Sequence, residues 1–526
     1  MGEGNFMPLL LTKRLFPAVL IAAAVGLPTS VPAEEAARPA SDLNLRVKEL
    51  IPEIEAYVES GMKAFDTPGV ALGVVVDDQL VYAKGFGVRD EARGGAVDPR
   101  TLFQIGSTTK GFLATTLAIQ VDRGKLRWDD RLNDLDPTFQ LKDPWVTREF
   151  RVLDLLAQRS GLPAYANDSL GVPLGIDETR LIHSLRYVEP VTSFRTTFAY
   201  TNITHMLAGR IVARAAGAAD WNAVLRAELL DPLGMKETSV TAEAMEQAPN
   251  HASGYRWTPQ GVVEVPFTQI FPYDFMGAGD INSNVEDMSR WLRLQIGDGV
   301  FEGRRLVSAE NLSFTRRPEV AITDKAFYAM GWIRLETPNG VAIWHNGGTS
   351  SFGAFVGFIP DRKAGIVLLT NEANVGFPDA LGIWLLDRLL GNAKVDYVAK
   401  KLKEATAAFA KDAAQFDKPA KPRPFPALAP LAGAYVNPAI DKVLVKLEGD
   451  ALAMDFSASG AKLRLDPWDG DVFTATLVPE GRFAAVAANE GSGPAGFVQF
   501  QIDNNGQLNR LRLTDTNGQQ FEFLRE

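Results

Sequence analysis

Gly106-Ser107-Thr108-Thr109-Lys110-Gly111 runs directly into Phe112-Leu113-Ala114-Thr115-Thr116-Leu117-Ala118-Ile119-Gln120-Val121. Phe112, Leu113, Thr116, Leu117 and the 119–121 segment recur at helical spacing, which predicts a buried helix over 107–123. Ser107 then stands at the helix N-terminus, where free N–H groups and the dipole favour developing negative charge. Lys110 follows three residues later, one turn along the same face, so hydroxyl and amine can meet. A lysine held in a partly desolvated place loses its proton more easily and can act as base toward a serine.

Two other segments carry chemistry. Phe198-Ala199-Tyr200-Thr201-Asn202 opens a second apolar helix, predicted over 203–215. A tyrosine beside a cationic lysine is deprotonated more readily, so Tyr200 is a candidate proton relay and Asn202 a candidate amide for a substrate carbonyl. Trp344-His345-Asn346-Gly347-Gly348-Thr349 ends a predicted strand. Gly347 and Gly348 allow a substrate backbone to approach the strand edge, and Gly348 N–H is a candidate oxyanion donor beside that of Ser107. Each segment alone has a plainer reading: a capping serine with a solvated lysine, a core aromatic at a helix entry, a structural histidine. Together, in this order, they argue for acyl transfer through a serine.

Outward from these motifs the chain reads as α+β. A helix is expected over 45–65, then a hairpin of Val70–Val76 and Gln79–Gly85 around Asp77-Asp78. A long, mainly helical region reaches about Ile296. Strands return at Val341–His345, Phe352–Ile359 and Ala364–Thr370, and Pro378–Leu390 is a helix packing back. Strands at both ends with helices between them imply one antiparallel sheet assembled from distant parts of the chain. A Lys/Ala-rich helix, 393–414, leads into the proline-rich linker Lys418–Pro426. Seven short alternating runs between Val443 and Leu524 predict a small all-β domain, an up-and-down barrel. The expected domains are a signal peptide (1–33), a hydrolase domain (34–415), the linker (416–430) and the barrel (431–526).

Composition bounds the chemistry. With 526 residues the chain exceeds one ordinary domain, and its net charge of −10 argues against nucleic acid as a partner. It has no cysteine, which excludes disulfides and thiolate nucleophiles, and only four histidines, none in a His-Glu-x-x-His pair. No metal or cofactor is expected. Lys13 and Arg14 precede an apolar run, Leu15–Leu27, and small residues follow at 31–33, the pattern of an export signal. The expectation is a periplasmic or secreted protein starting near Glu34, with no stable membrane anchor after cleavage. A Gly-x-Ser-x-Gly elbow is absent from the sequence, which argues against an α/β-hydrolase.

The order Ser-x-x-Lys, Tyr-x-Asn, His-x-Gly resembles the serine β-lactamase and penicillin-binding-protein superfamily. Tyr200 places the likeness on its class C side, with D-Ala-D-Ala carboxypeptidases, D-aminopeptidases and β-lactamase-like esterases. Pro68–Ala71, Arg151–Pro163, Pro232–Met235, Gly277–Ser283 and His345–Thr349 are similar too, so the resemblance spans about 45–390. The barrel resembles the lipocalin-like domain appended to some members. The resemblance implies that Ser107 attacks a carbonyl to form an acyl-enzyme, that Lys110 and Tyr200 share the proton work, and that Asn202, His345, Gly347 and Gly348 hold the substrate. One departure is His345, where class C β-lactamases carry lysine. Histidine is mostly neutral near neutral pH, so recognition of a substrate carboxylate should be weaker or pH-dependent. The expected activity is therefore a peptidase or amidase on unusual peptides, D-residue-containing or linearised from cyclic ones. The alternatives are a carboxylesterase on short-chain esters, a weak β-lactamase, or a non-catalytic penicillin-binding or sensor module. For the barrel, the plain expectation is packing, and the sharper one a loop that narrows the cleft.

Overall fold

The computed structural model describes residues 40–171, 174–491 and 493–526; the expected signal peptide lies outside them. A central antiparallel sheet is built from β1 (Gly69–Val76), β2 (Gln79–Gly87), β3 (Val320–Ala321), β4 (Ala326–Tyr328), β5 (Ile333–Thr337), β6 (Gly340–Gly348), β7 (Gly353–Ile359) and β8 (Ala364–Thr370). Its spatial order is β2-β1-β8-β7-β6-β5-β4-β3. The N-terminal hairpin thus joins the last strand, with Val70 opposite Thr370 and Val76 opposite Ala364. β1, β7 and β8 are buried along their whole length. Helices cover both faces, which is why these strands read as unbroken apolar runs rather than alternating ones. Asp77 and Asp78 turn the hairpin at φ +48° and +65°, the left-handed pair that a two-residue loop demands.

The principal helices are α1 (Ala40–Phe65), α2 (Thr109–Asp122), α3 (Asn202–Ala216), α4 (Val285–Ile296), α5 (Phe377–Leu390), α6 (Tyr397–Ala414) and α7 (Phe483–Glu490). α1 and α5 cover one face, with Tyr57 stacked on Trp384 at 4.4 Å between ring centres. α4 packs against β1 and β8 on the other. Of α2, all residues from Thr109 to Gln120 are buried. Ser107 lies in a 3-10 turn, Gly106–Thr108, that leads into α2, not in the expected helix from 107. Phe112 stacks on Trp291 of α4 at 3.9 Å, which fixes the helix that follows the serine from beneath. Among the described residues no helix is long and apolar enough to cross a membrane.

Several sequence expectations are corrected. β3, β4 and β5 were not foreseen, because strands of two to five mixed residues carry too little periodicity. α1 begins at Ala40 and runs through Pro52. α6 begins at Tyr397, where the Asp396 carboxylate accepts from Ala399 N–H. The region between β2 and β3 is less helical than expected; it includes the hairpin Gly254–Thr258/Gly261–Val265.

Past the linker, eight antiparallel strands from Gly433 to Arg525 close into a barrel by pairing Tyr435 with Arg525 and Val436 with Leu524. Its first strand, Gly433–Asn437, and helix α7 escaped the sequence reading. The barrel bears on two loops of the hydrolase part. Arg482 donates to Gly175 O (3.2 Å), Asn489 to Pro266 O (2.8 Å), and Gln519 Oε1 accepts from Asn167 N–H (3.0 Å).

Candidate active site

The site forms where β6 outruns its neighbour. β5 pairs with β6 only as far as Ile333 opposite Trp344, so the 345–348 edge is left without a strand on that side. The Ile105–Ser107 segment lies against this free edge. Gly106 has φ +51°, and a Cβ there would stand 2.7 Å from Gly348 N; a Cβ on Gly347 would stand 1.9 Å from Ile105 O. Only glycines let the two backbones meet so closely. The result brings Ser107 and Gly348 together at the mouth of the strand.

Lys110 is completely buried. Its Nζ lies 3.0 Å from Ser107 Oγ, 2.7 Å from Asn202 Oδ1 and 2.7 Å from Ala278 O. Burial pulls its pKa down to about 7, with Asp168 and Asp280 opposing. The two oxygen acceptors engage two N–H bonds of the amine. When Lys110 is neutral, its lone pair is therefore directed at the Ser107 hydroxyl.

Tyr200 leads into α3. Its ring centre is 4.8 Å from Lys110 Nζ and its hydroxyl is hydrogen-bonded to Ser107. The expectation that Tyr200 ionises readily is overturned. Burial, reinforced by Tyr328 and Tyr165, pushes its pKa well above the usual phenol range, and the nearby Ser107 hydroxyl does not offset this. Tyr200 is a neutral phenol here.

Asn202 joins Lys110 to Asp168, and its amide keeps a second N–H for a substrate carbonyl. Its Oδ1 accepts from Lys110 and its Nδ2 donates to Asp168 Oδ2 at 2.6 Å. His345 is fully buried, with Nδ1 2.5 Å from Asn346 O and Nε2 3.0 Å from the Tyr328 hydroxyl. The carbonyl can only accept, so Nδ1 carries the hydrogen and Nε2 accepts from Tyr328. Burial and Lys110 hold the pKa of His345 down to about 3. This histidine therefore stays neutral near neutral pH.

Sequence reasoning missed the supporting residues. Asp168 reaches Lys110 through Asn202. Gln158, at φ +54°, accepts from Thr201 N–H at 2.6 Å and fixes the Tyr200 segment. Asn374 donates to Gly347 O (3.1 Å) and to Asp379 Oδ2 (2.8 Å), and Asn346 donates to Asp379 Oδ1 (2.7 Å), which pins the end of β6. None of these carries a local pattern; only the fold assembles them. Among the described residues, no group of three His, Asp or Glu side chains is placed to hold a metal ion.

Comparison with known proteins agrees with this geometry. The Beta-lactamase family profile matches residues 54–389, and this chain belongs to that family of hydrolases and penicillin-binding proteins. A domain of unknown function, DUF3471, matches residues 417–525, the barrel. The chain is 26% identical to an unguisins hydrolase of Aspergillus violaceofuscus, covering 84% of this chain and 86% of that one. It is 29% identical to Penicillin-binding protein 4 of Amycolatopsis lactamdurans, over 70% of this chain and 93% of the relative. The octameric penicillin-binding protein homologue from Pyrococcus abyssi shares the fold, with a TM-score of 0.58 at 21% identity, covering 90% of this chain and all of that one.

Proposed function

We propose that the chain is a serine hydrolase that works through an acyl-enzyme on Ser107. The observation that carries this reading is Lys110, buried, with a pKa of about 7, and fixed by Asn202 and Ala278 so that its third direction meets Ser107 Oγ. Neutral Lys110 takes the serine proton as Oγ attacks the substrate carbonyl. The backbone N–H groups of Ser107 and Gly348 receive the oxyanion. Tyr200, a neutral phenol, passes a proton to the leaving group and regains it from Lys110. Water then attacks the ester, with the same groups returning the proton to Ser107.

For substrate, the reading is a peptidase or amidase on unusual peptides, D-residue-containing or linearised from cyclic ones. The likeness to proteins named for unguisins hydrolysis, over most of both chains, supports hydrolysis over a binding or sensor role. A second reading, a carboxylesterase on short acyl esters, is favoured by the neutral His345 and by the aromatic cluster that Tyr165 and Tyr328 form around Tyr200. Neither offers a cation to a substrate carboxylate, which weighs against efficient β-lactam hydrolysis. A panel of p-nitrophenyl esters, D- and L-aminoacyl anilides, linear peptides and nitrocefin, run on the wild type and Ser107→Ala, separates these readings. Turnover of anilides or peptides supports the first; turnover of esters alone supports the second. The export pattern at 13–33 supports a periplasmic or secreted location, testable by sequencing the mature N-terminus.

A further inference from the structure

The loop that carries Asp168 is held in an unusual backbone conformation. Tyr165 and Asn167 both have left-handed φ, +57° and +60°, within three residues. Non-glycine residues rarely adopt that region, and such conformations persist only when their surroundings fix them. Besides bonds within the turn, such as Asp168 N–H to Tyr165 O at 3.0 Å, three bonds to other segments do so here. Tyr165 N–H donates to Tyr200 O at 2.5 Å, Asn167 Nδ2 to Ser184 Oγ at 2.7 Å, and Asn167 N–H to Gln519 Oε1 at 3.0 Å. The third anchor comes from the barrel, 352 residues away in the chain.

The barrel segment that supplies it is stiff. Asp515 Oδ1 accepts from Asn517 N–H (2.8 Å) and Gln519 N–H (2.9 Å), Asp515 N–H donates to Gln519 O (3.0 Å), and Gly518 N–H to Asp515 O (3.0 Å). A hairpin tip tied by four internal bonds can hold a partner in place. One residue beyond Asn167, the buried Asp168 carboxyl meets Asn202 Nδ2, whose own oxygen meets Lys110.

We infer that the Asp515–Gln519 tip is a positioning element of the active site: by accepting from Asn167 N–H it fixes the Tyr165–Asp168 turn, and so sets Asp168 against Asn202 and Lys110. Gln519 touches no reacting atom; it acts through Asp168. The inference rests on the catalytic reading of Lys110 given above. Around Lys110 stand the carboxyls of Asp168 and Asp280, the neutral imidazoles of His205 and His345, and the phenol of Tyr200. Asp168 in turn lies near the phenols of Tyr165 and Tyr200. Of the two carboxyls, only Asp168 depends on the barrel-anchored turn; Asp280 is held by Gly277 N–H and Trp221 Nε1.

The test measures the rate at which a fluorophosphonate labels Ser107 across the pH range in the full-length protein. Burial raises the pKa of Asp168 to about 7, so its carboxyl is ionised mainly above neutrality. Asp168→Asn removes that charge, which favours protonated Lys110, so the pH at which labelling switches on should fall by up to about one unit. Gln519→Met, similar in length without the acceptor, should move that pH in the same direction, whereas Gln519→Glu, which keeps an acceptor oxygen, should not lower it. A Gln519→Met profile superimposed on the wild type, with or without a lower melting temperature, overturns the inference while leaving the catalytic reading intact. An Asp168→Asn profile that folds and does not move overturns it as well. If that variant does not fold, the two Gln519 variants decide alone. An unlabelled wild type removes the catalytic reading and the inference with it.

Discussion

The amine of Lys110 lies 2.7 Å from the side-chain oxygen of Asn202, a residue ninety-two positions further along the chain. This contact ties the helix that follows the serine to the helix behind Tyr200. Replacing the amide by a carboxylate, Asn202→Asp, puts a negative charge against the amine and raises its proton affinity by about 1–3 pK units. The expected outcome is an activity profile displaced to higher pH, with most of the neutral-pH rate lost and recovered in alkaline buffer. An unmoved profile would show that Asn202 does not govern Lys110.

In the wild type, Lys110 must be neutral to accept the serine proton, and its pKa is about 7. A lysine is neutral above its pKa. kcat/KM should therefore rise with pH through about 7 and level off above it, falling by about tenfold per pH unit on the acid side. Lys110→Arg, which stays charged throughout, should abolish both the limb and the activity.

Gly347 shows what the close backbone approach demands. Alanine there would push its Cβ to 1.9 Å from Ile105 O, so β6 or the serine segment must move. Gly347→Ala should lose about 1–3 kcal/mol of stability by overpacking and most of its activity, measured by denaturant unfolding and ester turnover.

His345 gives the opposite kind of prediction. Because its pKa is held to about 3, no activity limb near pH 6 should come from it. Tyr328→Phe strips the donor from His345 Nε2 and leaves a buried acceptor unpaired, at a cost of about 1–3 kcal/mol. Its pH profile between mildly acidic and neutral conditions should show no new histidine titration. A new limb near pH 6 in this variant would mean that burial alone does not keep His345 neutral.

The motif residues were legible because their signal is local. Ser107 and Lys110 are three residues apart where a short 3-10 turn runs into α2, Tyr200 and Asn202 flank a helix start, and His345 to Gly348 end one strand. The long apolar strands β1, β7 and β8 were legible for the same reason, since burial on both faces leaves an unbroken run. What escaped depends on tertiary placement. Asp168, Gln158 and Asp379 are single polar residues whose roles exist only once α3, β6 and α5 are packed around them. The ionisation of Tyr200 was misread because sequence gives neighbours but not burial, and burial dominates this group. The short edge strands β3 to β5 lack the length to show a period.

The central claim is that Ser107 is a nucleophile activated by Lys110. The most direct measurement is intact-mass and peptide analysis of the full-length protein after reaction with a fluorophosphonate. The account predicts one adduct, carried by the peptide containing Ser107, and its loss in Ser107→Ala together with a fall in hydrolysis of roughly 10³-fold or more. Labelling that persists in Ser107→Ala, or turnover that survives the substitution, would contradict it.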